Sequence, residues 1–167
     1  MEHIFSSTNR HAQAVYWVPD KTGRLVTCAT RTLLVHHIDH TGQLVCRHAR
    51  NEHDATVSAM NGDGQTLVTG DAKGTVIVWD CSNDQLHLEH RFNAHHTDPV
   101  NYVSVTKMAD SVFILTSAGD GKLKLAIVNG ETVRVVEHSG LPLYPLCCAI
   151  TRHLDFESGS FRVYFPT

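Results

Sequence analysis

What the chain of 167 residues lacks narrows its reading before any motif is considered. No apolar run is long enough to cross a bilayer, and the longest, Leu141 to Ile150, is broken by Pro142 and Pro145. No basic region followed by an apolar core stands behind Met1-Glu2-His3-Ile4-Phe5, so a secretory signal is not expected and the address reads as cytoplasmic, with the nucleus as a second site. Cysteines number five, an odd count without framework spacing, which suits buried thiols in a reducing compartment better than disulfides. Lysine and arginine are scattered singly and the net charge is −3, so the stripe of cations that holds a nucleic-acid backbone is missing. No direct nucleic-acid contact and no membrane contact are expected. Cys-x-x-Cys, His-Glu-x-x-His, a nucleophile elbow and a glycine loop for phosphate are all missing. The sequence therefore carries no enzyme signature and calls for no cofactor.

What is present is a rhythm of short β-type runs cut by turns. Gly62-Asp63-Gly64 is a turn cluster, Thr66 to Gly70 a short strand, Ala72-Lys73-Gly74 a tight connection, and Thr75 to Trp79 a β-branched and aromatic run expected to be covered on both faces. Upstream, Ala14–Val18, Arg24–Ala29, Leu33–Ile38 and Gln43–Arg47 make four strand-length runs. Downstream, Thr56–Met60 and Leu86–Phe92 flank the central pair, with Leu86 and Leu88 expected inward and His87 and Glu89 outward. Val100–Val105, Phe113–Ser117, Leu123–Val128 and Thr132–Glu137 follow. Leu143–Ile150 and Phe161–Phe165 open a further unit, and Ile4–Thr8 is a short possible strand at the start. Four short strands in about forty residues is the period of a propeller blade.

The closing Trp79-Asp80, with His53 upstream, resembles a WD repeat. In such repeats an indole N–H, a strand hydroxyl, a loop histidine and a turn aspartate form one hydrogen-bonded chain. The resemblance implies those places for His53, Thr69 and Trp79 in the second blade, where Lys73 stands in the aspartate's position. In the third blade it implies them for His95, Thr116 and Asp120, where Ala126 replaces the tryptophan. In the first, the Trp-Asp end has decayed to His37-Ile38-Asp39. Neither the second nor the third tetrad is expected to be complete. The fold expected is all-β, a partial WD-repeat propeller of about three and a half blades, near residues 9–48, 53–93, 95–138 and 142–167, the last incomplete.

The order of local features is similar to one family, the second subunit of the Elongator complex. The features are Ile4-Phe5, Asn9-Arg10 and Val15-Tyr16-Trp17, then Leu67 to Gly70, Val76 to Trp79, Asp84 to Leu86, Pro99-Val100 and Leu115 to Ala118. That family has two tandem propellers of about seven blades each. The resemblance implies a non-catalytic scaffold that holds the largest and the catalytic Elongator subunits, in a complex that modifies wobble uridines of tRNA. A generic WD-repeat adaptor that binds peptides is the alternative, and a small metal-binding module or metal-dependent enzyme a further one. Open ends of a partial propeller would also invite self-association.

The thirteen histidines invite a metal reading. His36 and His37 are neighbours on a strand, however, and face opposite ways, so they cannot share an ion without distortion. Loop histidines in solvent, with one or two structural ones, are the expectation, and no metal ligand is assigned. His53 and His95 are expected to cap loops, Asp63 and Asp71 to build turns, and Cys147-Cys148 to be inert on an apolar strand.

Overall fold

The computed structural model describes residues 12–19, 23–139, 149–150 and 163–164. Within them every regular element is a strand. The first sheet holds β1 (Ala12–Trp17), β2 (Arg24–Ala29), β3 (Thr32–Ile38) and β4 (Leu44–Arg50). The second holds β5 (Val57–Gly62), β6 (Thr66–Asp71), β7 (Val76–Asp80) and β8 (His87–Phe92). The third holds β9 (Val100–Met108), β10 (Ser111–Ala118), β11 (Leu123–Asn129) and β12 (Thr132–His138). Each is an antiparallel meander with strands in chain order, and the short β13 (Ala149–Ile150) pairs with β14 (Val163–Tyr164).

The three sheets stack as propeller blades. β1 packs beside β5, β5 beside β9, and β9 beside β13, so the first strand of each blade lies along one inner line. Strand alternation decides which side chains fill each seam. Val26, Cys28, Leu33 and Val35 of the first blade meet Leu67, Ile77 and Trp79 of the second. The opposite face of the second blade, with Val68, Val76 and Val78, meets Val100, Val103, Ile114 and Ala126 of the third. The second blade is therefore apolar on both faces, as the run of β-branched residues from Thr75 predicts, and β6 and β7 are buried almost throughout. Close approach fits this seam: a Cβ on Gly70 would lie 2.5 Å from the Val100 side chain.

One alternation fails. Leu86 is buried as expected, but Leu88 is exposed. Leu86 lies just before β8 and Leu88 within it, opposite Trp79; the ladder between β7 and β8 then slips by one residue at Glu89.

The blades are also stitched backbone to backbone on one rim. Val57 N–H donates to the Thr30 carbonyl in the β2–β3 turn (2.7 Å), and His96 N–H donates to the Gly74 carbonyl in the β6–β7 turn (2.9 Å). Each blade's entry thus sits on a turn of the blade before it. Gly74 is required there: its φ is +79°, and a Cβ would lie 2.0 Å from the His96 carbonyl oxygen. The expected strands Ile4–Thr8 and Phe161–Phe165, most of Leu143–Ile150 and the Cys147-Cys148 pair lie largely or wholly outside the described residues.

Candidate functional site: buried hydrogen-bond knots beneath the loop rim

In the second blade, β6 carries Thr69 and Asp71 two residues apart, hence on one face of the strand. β7 places Trp79 opposite Leu67 on that face, and the loop before β5 drops His53 onto it. Trp79 Nε1–H donates to Thr69 Oγ1 (2.9 Å). The Thr69 hydroxyl and His53 Nε2 are 2.7 Å apart, and His53 Nδ1 is 3.0 Å from Asp71 Oδ2. A carboxylate only accepts, so Nδ1 holds the ring proton and Nε2 receives the one from Thr69. The donation runs in one direction, Trp79 to Thr69 to His53 to Asp71. All four side chains are buried, and burial holds the His53 imidazole below its ordinary pKa against the pull of Asp71.

The expectation of an incomplete tetrad is therefore corrected for the second blade. Lys73 is exposed and takes no part; Asp71 supplies the carboxylate from the end of the strand instead of from the turn. Asp71 also does what a turn aspartate does, since its Oδ1 accepts from the N–H groups of Lys73 (2.9 Å) and Thr75 (3.0 Å). Asp63 remains a turn residue, capping Gln65 and Thr66.

The third blade makes a second knot with different parts. Ala126 lies opposite Ile114, the register place that Trp79 holds in the second blade, and it brings no donor. The connector turns at Ala94 (φ +50°), and both following rings reach Thr116. His95 Nε2 is 3.1 Å and His96 Nε2 2.9 Å from Thr116 Oγ1, and His96 Nδ1 is 3.0 Å from Asp120 Oδ2. By the same elimination, His96 accepts from the Thr116 hydroxyl and donates to Asp120, while His95 donates to Thr116 in place of an indole. The loop-histidine place expected for His95 thus belongs to His96. His95 is the stand-in for the missing tryptophan, packed against Phe92 at 5.5 Å between ring centres and edge-on to His96 at 5.0 Å. Burial first, then the neighbouring His96, pushes the His95 pKa down to about 4. Asp120 also accepts from the N–H groups of Thr97 (3.1 Å) and Lys122 (3.0 Å), and these bonds hold its carboxyl below its usual value despite burial.

The first blade sets an imidazole at the corresponding place. His36 pairs with Leu25 in the β2–β3 register, as Trp79 pairs with Leu67 in the second blade, and its Nε2 lies 2.9 Å from the buried Thr27 hydroxyl. His37 points the other way, 3.1 Å from Asp84. Three blades thus place His36, Trp79 and His95 on equivalent strand hydroxyls, those of Thr27, Thr69 and Thr116. Among the described residues no group of three metal-ligating side chains converges.

A strand hydroxyl bridging an indole and a loop histidine, with a carboxylate behind, is the arrangement that the resemblance to a WD repeat implies. This is a WD-repeat chain. Residues 44–80 match the model of the WD domain, G-beta repeat. The chain is 33% identical over 129 residues to WD repeat-containing protein 55 of Arabidopsis thaliana, covering 76% of this chain and 34% of that protein. It superposes on the crystal structure of Saccharomyces cerevisiae Sqt1 with a TM-score of 0.62 at 15% identity, over 77% of this chain and 38% of that one. The WD-repeat chain spans about a third of the length of the curated relative it matches. Its fold is that of a partial WD-repeat propeller.

Proposed function

We propose that the WD-repeat arc is a non-catalytic scaffold segment that docks other proteins on its loop rim. The observation that carries this reading is the pairing of exposed loops with buried knots. Lys73, Thr97 and Asp98 face solvent on one rim, while His53, His96, Asp71 and Asp120 fix the backbone beneath them. Recognition on a rigid framework with presented loops costs little ordering entropy on binding. The finer reading is that the partners are the largest and the catalytic Elongator subunits; the order of motifs from Ile4-Phe5 to Ala118 supports it. The general adaptor stands beside it, favoured by a relative that is named only for its WD repeats. Work in the cytoplasm, and in the nucleus, is part of the proposal, and the exposed Cys46 thiol suits a reducing compartment.

Sedimentation of the full-length protein with each purified Elongator subunit separates the readings. Co-sedimentation that is lost on exchanging Lys73, Thr97 and Asp98 for alanine, with the melting curve kept, is the expected result. Absence of any complex rejects the Elongator partners. A complex indifferent to the three exchanges rejects this rim as the docking face.

A further inference from the structure

The two complete knots differ in one respect that matters for protons. The second blade's knot begins at an indole, which never titrates near neutrality. The third blade's begins at an imidazole, so two rings 5.0 Å apart share one hydroxyl. The third also has an outlet: Thr116 Oγ1 lies 3.4 Å from the Lys124 carbonyl oxygen, a second acceptor toward which its hydroxyl can turn.

We propose that the His95–Thr116–His96–Asp120 knot is a proton-operated latch on the loop joining the second and third blades, and that the Trp79 knot is its fixed counterpart. In the neutral state Thr116 donates to His96 and the latch is shut. The first proton goes to His96 Nε2, where Asp120 stabilises the imidazolium across the ring. The Thr116 hydroxyl then turns to the Lys124 carbonyl and accepts from both rings, so every group stays satisfied. The second proton goes to His95 and sets two imidazolium rings side by side in a buried space.

Little around them offsets that charge. On β11, Lys124 adds a further cation; on β12, Glu137 is held by Lys122 (2.8 Å) and Lys124 (2.9 Å). In the β10–β11 turn Asp120 is shared with backbone donors, and Asp98 on the connector is exposed. From the second blade, His90 lies behind Phe92, Lys73 is exposed on the turn beneath His96, and Asp71 is committed to His53. The connector then parts from the second blade at the one backbone bond described between them, from His96 N–H to the Gly74 carbonyl. The loop rim between these blades then loosens while the Trp79 side stays shut.

Amide hydrogen exchange and imidazole nitrogen shifts on the full 167-residue chain test this. From pH 7 to about pH 4 the protection factor of the His96 amide is expected to fall about tenfold or more. That of Ala72, bonded to the Thr56 carbonyl in the second blade, is expected to hold within about twofold. The nitrogen shifts should show His96 taking its proton before His95. His95→Gln keeps a donor for Thr116 but cannot charge, so its His96 amide should stay protected at acid pH. Equal loss at His96 and Ala72 overturns the latch, as does a His95→Gln protein that opens like the wild type. If that variant does not fold, the wild-type order of protonation and opening decides alone.

Discussion

The indole of Trp79 offers the sharpest test of how the second knot is held together. Its side chain is fully buried between the first two blades, against a seam that includes Val35, Leu67 and Leu86. Truncation to alanine removes that packing and leaves a cavity, a loss of roughly 3–5 kcal/mol. Trp79→Phe keeps most of the ring volume but deletes the N–H that donates to Thr69 at 2.9 Å. Because the chain continues through His53 to Asp71, the loss is passed along a connected network and is not confined to one pair. A double-mutant cycle of Trp79→Phe with Thr69→Val isolates that share, and a coupling of about 1–2 kcal/mol is expected. Urea titrations monitored by circular dichroism give each corner of the cycle. A coupling within roughly 0.3 kcal/mol of zero would show that Trp79 acts by packing alone and that its bond to Thr69 contributes nothing to stability.

Other perturbations address other parts of the fold. Asp71→Ala strips His53 of its acceptor and frees two turn N–H groups, and should cost about 3 kcal/mol or more in the same urea assay, while Lys73→Ala should stay within about 0.5 kcal/mol. Gly74→Ala meets the His96 carbonyl and should lower stability by at least about 3 kcal/mol, whereas Gly42→Ala, at φ +81° with open space around it, should cost only about 1–2 kcal/mol. Burial holds His53, His95 and His96 below the ordinary 6.5, so the unfolded chain binds protons that the fold refuses. Their contribution is complete above about pH 6.5 and is lost as the pH falls; for His95, whose pKa is about 4, that loss approaches roughly 3 kcal/mol, and a melting temperature flat from pH 7 to about pH 4 would contradict it. Val15 and Trp17, 60% and 51% exposed on the face of the first blade turned away from the second, should make the 167-residue chain self-associate, and Trp17→Ser should shift sedimentation toward the monomer.

Much of this architecture is legible from local chemistry. β-branched runs between glycine and aspartate turns mark the strands from Arg24 to Glu137 to within a few residues, because pleat and turn are set by neighbours in sequence. Thr69, Trp79 and Thr116 are likewise fixed by register. The carboxylate of the second knot is not so fixed. Asp120 reaches its histidine from a turn, four residues past its threonine, and by that spacing Lys73 occupies the place where Asp71 does the same task from two residues past. A strand residue two positions on shares the face, so either offset satisfies the same imidazole. Choosing between His95 and His96 needs the φ of Ala94 and the reach of both rings to Thr116, both products of tertiary packing. The role of His36 needs the β2–β3 pairing to place it where an indole stands one blade later. A signal was available in the bare sequence for Asp71: an aspartate at the end of a run headed for the interior has to find a donor there.

The stitch from His96 to Gly74 has a mechanical consequence. A partner that grips Thr97 or Asp98 pulls on a loop whose only backbone anchor described across that seam is a turn of the neighbouring blade. That turn is braced in its own blade by Asp71, through the N–H groups of Lys73 and Thr75. Tension applied at one connector therefore travels through Gly74 to Asp71 and on to His53, the ring that fixes the previous connector. Load placed on one docking loop is felt at the next, so a partner spanning both would meet a stiffer platform than two partners each holding one.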